Sequence, residues 1–176
     1  MVLSCASPCV QGISDPAAAA ELATSVNNQL AASISNNTLR CGAFAALAMH
    51  NATLAAQELR RTVNEFGFLG ALVNDYQQSG PDNGWYRINS IYSYEATLKH
   101  TYTTATLLYY DQPEYDIFWQ TVTELDVPVY FHPRTGIAQL TALQYQHAIF
   151  LNGPQQQFAA TLPNHVLGLC TNGVFE

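Results

Sequence analysis

The stretch CGAFAALAMHNATLAAQELRRTVNEFGFLGALV, from Cys41 to Val73, decides the fold. Its two ends, Cys41–Met49 and Phe68–Val73, are apolar runs without the alternation of a half-solvated strand. Such runs suit parallel strands covered on both faces. Between them, Asn51 supplies a helix cap, Leu54, Leu59 and Val63 form an inward stripe, and Gly67 is a stop signal. Parallel strands need a crossover of about a dozen residues or more, and this interval holds one helix. The unit predicted is strand, helix, parallel strand.

The same grammar extends outward. Val2 to Cys5 is a short apolar run. Asp15 before Pro16 predicts a helix start, with a stripe of Leu22, Val26, Leu30 and Ile34 ending near Asn36 and Asn37. Pro113 opens a helix carrying Phe118, Val122 and Leu125, and Pro128–His132 is a fourth apolar run. A last helix is predicted between Gln156 and Asn172. The fold class is therefore α/β with a parallel sheet. Periodicity does not choose between an open doubly wound sheet and a closed barrel. No glycine-rich nucleotide fingerprint follows any strand.

Composition narrows the function classes. The 176 residues are 48% hydrophobic and only 11% charged, with net charge −7. Six basic residues, one of them the lone Lys99, argue against a nucleic-acid partner. No apolar run is long enough to span a membrane. Met1–Gly12 lacks the basic start and long apolar core of a signal peptide, so a cytoplasmic location is expected. In that compartment Cys5, Cys9, Cys41 and Cys170 are expected to be thiols.

One block breaks the pattern. Gly84–Thr104 (GWYRINSIYSYEATLKHTYTT) gathers four of the ten tyrosines and the only lysine, with no apolar face of period 2 or 3.6.

His132, at the end of its strand, is the leading candidate for chemistry. An imidazole there can bind a divalent metal or act as a general base, or it can simply close the strand end through a backbone hydrogen bond. The same position marks Asn74 and Asp75, as substrate-orienting groups or as turn residues, and Arg134 just beyond His132. His50 reads as a strand-to-helix link, and His147 and His165 have no partner spacing of a metal site.

With Val127–Arg134 (VPVYFHPR) on a strand, the chain resembles the non-oxidative hydroxybenzoate decarboxylases of the amidohydrolase superfamily, most closely the fungal 2,3-dihydroxybenzoate decarboxylases. The matching blocks run in order: Arg40–Ala45 (RCGAFA), Gly67–Asp75 (GFLGALVND), Asp116–Gln120 (DIFWQ), Thr123–Pro128 (TELDVP), His165–Gly168 (HVLG) and Thr171–Phe175 (TNGVF). The resemblance covers the chain outside Gly84–Thr104.

That resemblance implies a (β/α)8 barrel of which residues 1–176 form a partial domain, roughly strands 2 to 5 with their helices, interrupted at 84–104. It implies a small aromatic carboxylic acid as substrate and a divalent metal, zinc first, with magnesium or manganese as alternatives. His132 becomes the fifth-strand metal ligand, while Asn74, Asp75 and Arg134 fall at the substrate pocket. The family's first-strand Glu motif, its sixth-strand proton-transfer motif and its eighth-strand aspartate have no counterpart in these residues. The expectation is a lyase by ancestry that is inactive as this chain. The alternative is a non-catalytic fragment that self-associates or pairs with a full-length relative. Joining Asp82-Asn83 to Ala105-Thr106 restores the family spacing, so 84–104 reads as an intron translated in frame, or as a loop over the pocket.

Overall fold

A computed structural model describes residues 1–79 and 106–176. The block Gly84–Thr104 lies outside the described residues.

The short strand β1 (Val2–Leu3) leads through a 3-10 turn at Cys9–Gly12 into helix α1 (Pro16–Ile34). Strand β2 (Gly42–Ala46), helix α2 (Ala52–Phe66) and strand β3 (Gly70–Asn74) follow. After the small antiparallel pair β4 (Gln77–Ser79) and β5 (Thr106–Leu108) come helix α3 (Asp116–Leu125) and strand β6 (Val129–His132). Helices α4 (Ala138–Tyr145) and α5 (Gln157–Thr171) complete the described chain. The main sheet has the order β1-β2-β3-β6, and every pairing is parallel.

The local signals explain the elements. Asp15 accepts a hydrogen bond from the Ala18 N–H at 2.8 Å, and Asn51 accepts one from the Leu54 N–H at 3.1 Å. Each satisfies one of the donors a helix start leaves open. Gly67 ends α2 in the left-handed conformation at φ 66°, as its position in the sequence predicts. Pro113 opens a 3-10 turn that runs directly into α3.

The two faces of the sheet differ. Ala43, Ala45, Ala71 and Val73 point to the helix side and are buried with Leu59, Phe68 and Phe118 in the main core. The opposite face carries Val2, Phe44, Leu72, Asn74, Tyr130 and His132, which the register aligns on one side. On that face the Phe44 and Tyr130 rings approach to 6.4 Å across β3. Burial on both faces holds for β3, whose five residues are all buried, but not for β6, where Tyr130 is 50% exposed.

Two helix faces correct the sequence reading. Leu54 is exposed, whereas Leu59 is buried as expected and is joined on the inward face of α2 by Ala52, Ala55, Ala56 and Thr62. On α1, Leu22 is partly exposed while Ala19, Ala23 and Asn27 lie inside. The cause is Asn27. Its amide accepts from the Ala46 N–H at 2.8 Å and donates to the Ala46 carbonyl at 2.9 Å, standing in for a strand neighbour that β1 is too short to supply. Cys5 and Cys9 are not thiols but a disulfide, with Cα atoms 5.8 Å apart, while Cys41 and Cys170 are free. No helix among the described residues is long and apolar enough to cross a membrane.

Candidate active site at the strand ends

The carboxyl ends of β2, β3 and β6 converge, with the loop Cys5–Ile13 laid against them. Peptide groups at such ends have no further strand to pair with and must find side chains or solvent. In this chain amide side chains fill the need. Gln11 donates to the Leu47 carbonyl at 2.7 Å. Asn74 donates to the Gln11 side chain at 2.9 Å and to the Pro8 carbonyl at 3.2 Å. Gln77 accepts from the Met49 N–H at 3.0 Å and directs its own amide at the carbonyls of Val10, Gln11 and Ile13.

Arg134 lies under this layer, 5% exposed. Its guanidinium donates to the Gln11 carbonyl at 2.8 Å and the Tyr76 carbonyl at 3.3 Å, and stacks over the Tyr76 ring at 4.5 Å. Among the described residues it has no carboxylate partner; carbonyl oxygens and a π face disperse the charge. Burial raises the Tyr76 phenol above its ordinary value, and the nearby guanidinium offsets part of that rise.

His132 sits half-buried beside Asn74, its register partner on the same sheet face. Its Nδ1 lies 2.6 Å from the Pro133 carbonyl. A carbonyl only accepts, so Nδ1 is the donor in this bond, and in the neutral ring Nε2 is the nitrogen with the lone pair. Of the sequence readings of His132, the backbone bond is the one observed; such a bond is also the kind that orients a metal-binding imidazole. The rest of a metal site is not present. Among the described residues no three of His, Cys, Asp or Glu stand close enough to share an ion. The donors fit one corner of a divalent site and not the whole.

Asp75 turns to the other side of the sheet, fully buried, and meets a residue with no partner spacing in the sequence. His165 on α5 is buried with it, Nδ1 bonded to the Asp75 carbonyl and 3.3 Å from its carboxylate. The Tyr110 N–H donates to Nε2 at 2.9 Å, which makes His165 the neutral Nδ1–H form. The Asp75 N–H in turn donates to the His132 carbonyl at 3.1 Å, so α5, β3 and β6 are tied at one point. Tyr109, Tyr110 and Phe131 surround the imidazole at ring distances of 5.0 to 5.2 Å. Burial lifts both tyrosine phenols far above their ordinary range.

His50 is the strand-to-helix link expected, its Nε2 3.1 Å from the Ser14 carbonyl. A cavity of about 310 Å3 between α1 and α2, lined by Ala20, Ala23, Ala48, Leu54 and Arg61, lies away from these groups. Its ion pair, Glu58–Arg61, is already closed at 2.7 Å.

A parallel α/β sheet with helices on its outer face and polar groups at the carboxyl ends of its strands defines the class. Residues 6–166 match the Amidohydrolase family, and the chain belongs to it. It is 38% identical over all 176 residues to the gamma-resorcylate decarboxylase of Rhizobium radiobacter, covering 47% of that protein. The crystal structure of 2,6-dihydroxybenzoate decarboxylase from Rhizobium superposes with a TM-score of 0.82 at 37% identity, over 99% of this chain and 47% of that one. A dihydroxybenzoic acid decarboxylase from Polaromonas, solved with manganese and the inhibitor 2-nitroresorcinol, matches at 0.81 and 36%, over 99% and 46%. The chain thus spans about half the length of the relatives it matches.

Proposed function

We propose that this chain carries strands 2 to 5 of a (β/α)8 decarboxylase barrel acting on a hydroxybenzoate-type acid. The observation that supports this reading most is His132: a strand-end imidazole on the inner sheet face, with Nδ1 fixed by a backbone carbonyl and Nε2 unpartnered among the described residues. The reaction protonates the ring carbon that bears the carboxylate, breaks the bond to that carboxylate and releases carbon dioxide. A divalent metal, when bound, holds anionic oxygens and stabilises developing charge. His132 is the ligand this chain contributes to it. Asn74, whose Oδ1 has no partner among the described residues, faces the same side and suits a substrate hydroxyl. Arg134 and Asp75 act behind it, fixing the loops and strand ends.

One metal-binding side chain does not hold an ion against water, since a catalytic site usually takes about three protein ligands. The 176-residue chain alone is therefore proposed to be inactive. Its half-open inner face, with Phe44 and Tyr130, suits pairing with a full-length relative. Incubation with 2,6- or 2,3-dihydroxybenzoate and zinc or manganese, followed by absorbance and metal analysis after gel filtration, decides the matter. No retained metal and no turnover are expected; one equivalent of metal with turnover overturns the inactivity. Co-expression with a full-length relative tests the pairing, and failure to co-purify removes it. We also read Gly84–Thr104 as a retained intron; transcripts that never lack it refute this.

A further inference from the structure

We propose that Cys5–Cys9 is a reversible thiol–disulfide switch that sets how firmly the strand-end amide layer is held. The bond spans four positions of the loop Cys5–Ile13, the loop that supplies acceptors to buried donors of three other segments. The Pro8 carbonyl accepts from Asn74, and the Gln11 carbonyl from both Arg134 and Gln77. The Val10 and Ile13 carbonyls accept from Gln77, and Ser7 reaches the Pro133 carbonyl at 3.3 Å. All of these contacts depend on the loop's shape.

Two observations make the bond a switch as well as a brace. First, Cys9 adopts φ 44°, a left-handed conformation that disfavours residues with a Cβ. The covalent link to Cys5 restrains that conformation, and its loss removes one of the restraints on the loop. Second, both cysteines are partly exposed and flanked by the exposed Ala6, Ser7 and Pro8, so a solvent thiolate has access. A dithiol reductant attacks one sulfur, forming a mixed disulfide and releasing the other cysteine as a thiolate. Its second thiol then displaces the first cysteine and leaves as its own disulfide. Two electrons and two protons pass to the protein. The open loop no longer fixes the carbonyls that disperse the Arg134 charge.

The test uses the air-oxidised chain with and without dithiothreitol. Native alkylation is expected to label two cysteines, Cys41 and Cys170, before reduction and all four afterwards. Amide exchange in peptides covering residues 5–14 and 74–78 is expected to speed up about tenfold on reduction and to recover on reoxidation. A Cys5→Ala/Cys9→Gly variant removes the bond and relieves the left-handed conformation together. It is expected to show intermediate exchange that dithiothreitol does not change. Four labelled cysteines in the oxidised chain overturn the proposal, and so does unchanged exchange after full reduction.

Discussion

Gly70→Ala should be far more damaging than Gly67→Ala, although both glycines have positive φ. Gly70 opens β3 at φ 150°, and a Cβ there would lie 2.1 Å from the Pro128 carbonyl oxygen. Gly67 sits at φ 66°, and a Cβ there meets nothing within 4 Å. At Gly67 the cost is conformational alone, about 1 kcal/mol. At Gly70 a residue with a Cβ is strained by roughly 1–3 kcal/mol in its backbone alone. It must also push β6 away, breaking the bond from the Ala71 N–H to the Pro128 carbonyl at 3.2 Å. An orphaned buried N–H adds roughly 1–3 kcal/mol, for a total near 4 kcal/mol. With a urea m-value of about 2 kcal/mol/M, the midpoint should fall by about 2 M for Gly70→Ala and about 0.5 M for Gly67→Ala. Equal shifts, or a larger one at Gly67, would refute the claim that the β3–β6 approach is closed by the absence of a side chain.

His165→Phe leaves the ring cage filled but removes the acceptor of the Tyr110 N–H and the donor to Asp75. A loss of about 2–5 kcal/mol in urea unfolding is expected, with faster exchange of the Tyr110 amide; unchanged exchange would mean the imidazole only fills space. Burial depresses the His50 pKa below its ordinary 6.5, so the fold favours the neutral ring. The unfolded chain then takes up the proton first, and the stability His50 contributes above pH 6.5 is lost as pH falls through the lower folded value. His50→Asn should flatten the thermal melting profile in that acid window, and an identical profile would remove His50 as the cause.

What could be read in the sequence is what depends on neighbours along the chain. The caps Asp15 and Asn51, the stop at Gly67 and the apolar strands are each specified within a few residues. The inward face of α1 was not legible because it is set by a vacancy in the sheet. Asn27 turns inward to bond Ala46, a residue 19 positions away, and the Leu22 side of the stripe rotates toward solvent. His132 was marked by its place at a strand end, and that place is observed. Beyond its place in the matching block His165–Gly168, His165 carried no signal of its role, because its partner is 90 residues distant and its main bond goes to the backbone of Asp75, which any residue type would provide. The antiparallel pair β4–β5 and helix α4 also went unforeseen; Gln77–Ser79 holds no apolar alternation.

The low charge of the sequence has a structural counterpart at the strand ends. An active-site rim is often built from ion pairs, but here Gln11, Asn27, Asn74 and Gln77 are all buried neutral amides. An amide offers both a donor and an acceptor, so it can stand between a free N–H and a free carbonyl without bringing an ionic charge into a dry layer. On this side of the sheet Arg134 is the exception, and it is accommodated by carbonyls instead of by a carboxylate, while the buried Asp75 carboxylate lies on the other side. A carboxylate placed against it would cancel the local positive field. The neutral layer adds no ionic charge beside His132, whose Nδ1 is turned to the Pro133 carbonyl. On the proposed function, a chain with this arrangement would hold its strand ends in place with neutral amides while offering His132 as one ligand.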